Sequence, residues 1–80
     1  MDVDTRLRQV FADVFDVEPG SLVDDASPQS IEAWDSVGHL NLVLALEGEF
    51  GVQFEAEEIP ELVLFGRIRQ RLSSGVYGEP

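Results

Sequence analysis

The 80-residue chain contains no cysteine and no lysine. Without cysteine there can be no disulfide framework, thiolate metal site or cysteine nucleophile, and the redox compartment stays open. Without lysine, five arginines face 16 acids, for a formal net charge of −11. Such a balance argues against nucleic acid as a partner. No apolar run approaches the length that crosses a bilayer, and no leader pattern opens the chain, so a soluble, cytoplasmic protein with no membrane partner is expected. Nor is there strand-period alternation long enough for a sheet, or any internal repeat. So short a chain buries only a modest fraction of its surface, which predicts a single domain over residues 1–80 and no deep enclosed active site. Residues 1–2 and 73–80 are expected to fray, the latter on the composition of "SSGVYGEP".

Where the charge lies is more informative than its total. Arg6, Arg8, Arg67, Arg69 and Arg71 all sit near the two ends, whereas Gln9 to Gly66 holds no Lys or Arg and 13 acids. Such a field steers cationic partners toward the middle of the chain, although acidity also serves solubility alone.

Val3 to Phe15 places Val3, Leu7, Val10, Phe11 and Val14 at helical spacing, predicting an amphipathic first helix. About twenty residues follow, "DVEPGSLVDDASPQSIEAWD", rich in turn formers. A connection of that length in a small domain has to be functional or internally packed. Leu22, Ile31 and Trp34 are the expected fasteners, with a short helical turn after Pro19. A second helix is predicted over Ser36 to Phe50, stopped by Gly51. Leu42, Val43, Leu46 and Phe50 share its inward face, while Val37, Leu40, Leu44 and Glu47 share another. That second stripe is either a docking surface or lies under the long loop. A short acidic turn around Ala56 to Ile59, limited by Pro60, and a closing helix over Val63 to Leu72 complete the pattern. Leu64, Phe65, Ile68 and Leu72 form the apolar stripe of that closing helix. The fold class is all-α: an antiparallel four-helix bundle of three longer helices and one short one, with a long loop between the first and second.

The stretch "WDSVGHL" gathers Asp35, Ser36 and His39 at the start of the second helix. A Ser-His-acid triad is a poor reading, because an acid adjacent in sequence to the nucleophile is badly placed to orient the histidine. The acid-rich loop lacks the ligand pattern of a calcium loop. A plain helix cap accounts for Asp35 or Ser36. It does not account for Gly38, which costs about 1 kcal/mol against alanine in a helix and leaves room for something close to the backbone. His39 by itself reads as a packing residue.

Over nearly its whole length the sequence resembles the acyl carrier proteins. The resemblance rests on "DSV", a variant of the family's Asp-Ser-Leu, on the following "LNLVLALEGEFGV", and on "VEPGSLVDDAS" in the loop. It implies that Ser36 carries 4′-phosphopantetheine, donated from coenzyme A by a phosphopantetheinyl transferase that brings Mg²⁺ and base, with Asp35 helping the transferase to recognise and position the serine and Gly38 leaving space beside the arm. It also implies that Val37, Leu40, Leu44 and Glu47, extended by Glu57 and Glu58, dock acyltransferase, ligase or synthase enzymes through their basic patches. The chain itself would then be a non-catalytic monomer. Val37 in place of the commoner Leu, and Asn41 and Gly48 in place of acids, point away from a general fatty-acid carrier and toward a discrete carrier of polyketide or similar specialised biosynthesis. An aminoacyl or peptidyl carrier and an unmodified acidic interaction module are the alternatives.

Overall fold

A computed structural model describes residues 2–73. These form three α-helices, α1 (Val3–Phe15), α2 (Ser36–Phe50) and α3 (Phe65–Ser73), with 3₁₀ turns at Pro19–Ser21 and Ile59–Glu61. No strand occurs among the described residues, and the all-α bundle follows the sequence expectation. Its fourth, short element is the turn at Ile59–Glu61 rather than an α-helix.

Local chemistry sets the helix ends. Asp2 caps α1, its Oδ1 accepting from the Thr5 N–H at 2.8 Å. Residue 2, expected to fray, is thus the N-cap of α1, and residue 73 lies within α3. The remaining expected frayed positions, 1 and 74–80, lie outside the described residues. α1 stops at Asp16, which adopts a left-handed backbone with φ 57°, and α2 stops at Gly51 with φ 67°.

Side-chain pairing fixes the helix directions. Arg6, near the start of α1, reaches the Glu49 carbonyl near the end of α2 at 2.6 Å. Phe15, at the end of α1, lies against Gly38 at the start of α2. α1 and α2 are thus antiparallel. Asp4 pairs with Arg69 at 3.4 Å while the Phe11 and Phe65 rings meet at 5.1 Å, so α1 also runs antiparallel to α3. The inward residues expected of α1 and α2 are buried, with Leu7, Phe11, Leu42 and Leu46 fully enclosed, except Val3 and Val14, which are partly buried against the core.

The long loop has internal structure. Ala26, Ser30 and Trp34 each donate a backbone N–H to the carbonyl three residues earlier, producing successive tight turns. Arg8 of α1 donates to the carbonyls of Pro19 and Leu22 at 2.8 and 2.9 Å. Leu22, Ile31 and Trp34 enter the core as expected, and Ala26 joins them.

The last third departs from expectation in two places. The turn expected around Ala56 to Ile59 is present, with the Glu58 N–H donating to the Glu55 carbonyl at 3.0 Å, but it runs on past Pro60 as the second 3₁₀ turn, Ile59–Glu61. Proline is tolerated there because a first-turn residue needs no N–H partner. α3 begins at Phe65, two residues later than the spacing predicts. Its first N–H groups are taken by loop carbonyls, Phe65 N–H by Ala26 at 2.9 Å and Gly66 N–H by Asp24 at 2.8 Å. Leu64 is therefore outside the helix, and partly exposed rather than in its apolar stripe. Gly66 permits this approach, since a Cβ there would lie 3.0 Å from the Asp24 carbonyl oxygen.

Candidate functional site

The start of α2 is built by Asp35. As N-cap, it accepts from the Gly38 N–H at 2.8 Å, and its own carbonyl takes the His39 N–H at 2.7 Å. The N–H groups of Ser36 and Val37 fall before the helical ladder begins. Ser36 is exposed, and its hydroxyl has no partner among the described residues. An accessible hydroxyl thus stands beside free N–H groups at the positive end of a 15-residue helix, a setting that favours an attached anion.

His39 is fully engaged elsewhere. The Trp34 Nε1–H donates to His39 Nδ1 at 2.9 Å, so in the neutral ring the proton sits on Nε2, which donates to the Ile59 carbonyl at 2.8 Å. No ring nitrogen is left to take a proton from Ser36. The packing role expected of His39 is correct in kind, but its partner lies 20 residues away, beyond the reach of any local pattern.

Gly38 requires a correction. The space expected beside its backbone is filled by the chain: a Cβ would sit 2.2 Å from the Ala33 carbonyl oxygen and 3.0 Å from Phe15 Cε1. Gly38 lets the loop end close onto α2 and leaves no room there for an arm. Gly38→Ala is expected to destabilise by about 1–3 kcal/mol through overpacking, against the gain of about 1 kcal/mol that alanine brings to an open helix position. Urea denaturation measures the balance, and a variant more stable than wild type would contradict this account.

Along α2, Val37, Leu40 and Leu44 are 67%, 58% and 66% exposed. The long loop does not cover them. They form an apolar stripe leading away from Ser36, without a packing role.

The acids expected to flank that stripe are not equivalent. Glu57 is exposed. Glu47 is half-buried and ties down the following loop, its Oε2 accepting from the Phe54 N–H at 3.0 Å. Glu58 is held by Arg71 at 2.8 Å and by the Glu55 N–H at 3.0 Å, which leaves it little charge to offer a partner. The Arg71 guanidinium, and after it the Glu55 N–H, hold the Glu58 carboxyl below the usual glutamate range. Because the folded value is lowered, the stabilisation is complete above the unfolded value of about 4.3 and is lost as pH falls through the folded value. Glu58→Gln is expected to be less stable than wild type at neutral pH and to converge with it in acid, as read by melting at a series of pH values. Each of the other four arginines also meets an acid: Arg6 with Glu49, Arg8 with Asp4, Arg67 with Glu61, and Arg69 with Asp4 and Asp24.

No family model matches the chain. It is similar to a protein named acyl carrier protein from Thermosynechococcus vestitus, with 35% identity over 57 residues that cover 71% of this chain and 70% of the relative.

Proposed function

Because the chain belongs to the acyl carrier protein family, we propose that it carries acyl intermediates as thioesters on a 4′-phosphopantetheine arm esterified to Ser36. The observation that carries this reading is the exposed Ser36 hydroxyl, without a partner among the described residues, at the capped start of α2. Ser36 needs no activation from within the chain, because the transferase supplies base and metal. Asp35 fixes the first turn so that the hydroxyl projects from a rigid point, and the free N–H groups of Ser36 and Val37 favour the phosphodiester. The arm, once attached, supplies the thiol that a cysteine-free chain lacks. A tethered acyl group meets successive enzymes at high effective concentration.

The Val37, Leu40 and Leu44 stripe, with Asp35, Glu47 and Glu57 near it, supports docking of a phosphopantetheinyl transferase and of acyltransferase, ligase or synthase partners bearing arginine or lysine. Glu58 contributes less, being paired with Arg71. Asn41 and Gly48, both exposed and uncharged on α2, favour a discrete carrier of polyketide-type biosynthesis over a general fatty-acid carrier. Incubation with a promiscuous transferase, coenzyme A and Mg²⁺ tests the assignment. Intact-protein mass spectrometry should record the gain of one phosphopantetheine, and an unchanged mass would overturn the reading.

A further inference from the structure

Beneath Ser36, a line of hydrogen bonds joins three segments of the chain. Trp34 at the end of the long loop donates to His39 in the first turn of α2, and His39 donates to the Ile59 carbonyl in the turn before α3, at 2.9 and 2.8 Å. Indole and imidazole stack as well, with centroids 6.2 Å apart and planes 21° from parallel. Behind this line the interior is filled. The Trp34 ring lies 5.3 Å from Phe11 and 5.6 Å from Phe15, and Phe11 lies 5.1 Å from Phe65.

An apolar chain tethered at Ser36 can leave water in two ways. Passing inward between α2 and the Ile59–Glu61 turn parts the His39 contact, leaves the Ile59 carbonyl with only the Leu62 N–H at 3.2 Å, and displaces closely packed rings; each step is unfavourable. The outer route is open. A groove of about 390 Å³ lined by Trp34, Asp35, Ser36, His39, Pro28 and Val63 continues, through Pro28 and Val63, into one of about 410 Å³ that includes Leu64. Val63 and Leu64 are 38% and 39% exposed there.

We propose that His39 is a positioning residue that locks this end of the bundle, so that an acyl group carried on the Ser36 arm lies outside the core along the Pro28, Val63 and Leu64 groove. This inference rests on the carrier reading and adds a substrate class: short or oxygenated acyl groups, which tolerate contact with water, rather than long alkyl chains.

The test charges the phosphopantetheinylated protein, verified by mass, with acetyl or octanoyl and follows side-chain methyl resonances by NMR. In wild type, octanoyl should shift Val63 and Leu64 while leaving Leu42, Leu46 and Ile68 where acetyl leaves them. In His39→Ala, octanoyl but not acetyl should shift those core methyls. If His39→Ala fails to fold, Trp34→Phe, which removes the indole N–H from the line while keeping most of the ring, is read by the same criterion. Core shifts in octanoyl wild type, or their absence from the unlocked variant, would overturn the inference and leave the carrier reading standing. A wild-type chain that gains no phosphopantetheine overturns both.

Discussion

Ser36→Ala is expected to lose phosphopantetheine attachment entirely while melting within a few degrees of wild type. Loss of the only atom to be esterified accounts for the first half. The second follows from how the start of α2 is built. Asp35, not Ser36, accepts from the first-turn N–H of Gly38, and the Ser36 hydroxyl holds nothing else among the described residues. Alanine is also the better helix former, and an exposed substitution of this kind changes stability by no more than about 0.5 kcal/mol. Intact mass after treatment with transferase and coenzyme A, with circular dichroism melting beside it, separates the two halves. Retained loading would move the attachment to another hydroxyl. Lost loading with a collapsed fold would make Ser36 a structural cap and revive the unmodified interaction module.

α1 and α2 were readable from sequence to their first and last residues because every signal that bounds them is local. An acid or hydroxyl caps the start of α2, Gly51 stops it, and the inward residues of both helices repeat at helical spacing, although the Asp2 cap of α1 was not foreseen. The place of Ser36 at the start of α2 was readable for the same reason, whereas the attachment role proposed for it came from the resemblance to the acyl carrier proteins and from no local pattern. What was not readable depends on contacts distant in sequence. α3 begins at Phe65 because carbonyls of Asp24 and Ala26 take its first N–H groups, and nothing near Val63 in the sequence announces that. Glu58 looked like a free member of an acidic patch until Arg71, 13 residues on, was found against it. Gly38 drew attention correctly and was assigned the wrong neighbour: the close approach is by the Ala33 carbonyl of the same chain. A glycine in a first helical turn signals that something lies near, but not what.

Trp34→Ala is expected to produce the largest loss of stability of any substitution considered. The side chain is 1% exposed, and truncating a buried tryptophan costs about 3–5 kcal/mol through lost transfer energy and the cavity left behind. A domain of this size has about 5–15 kcal/mol in total at most, so the melting point should fall by roughly 15 °C or more. The cost is not confined to volume. Without the indole N–H, His39 Nδ1 has no donor, and the edge contact with Phe11 and the stacked contact with Phe15 disappear together. The long loop then keeps Leu22, Ala26 and Ile31 but loses its anchor next to the α2 cap. Trp34→Phe, which restores most of the ring, should recover more than half of the loss. Trp34 is the only tryptophan in the chain, so its removal silences indole fluorescence, and urea denaturation followed by circular dichroism is the suitable measurement. A loss below about 1 kcal/mol, well under the range for a buried aromatic, would mean that the loop packs without its tryptophan. In that case Trp34 would serve Ser36 only through His39. The larger loss instead makes the loop anchor and the rigidity of the proposed attachment point one property, lodged in a residue two positions ahead of Ser36.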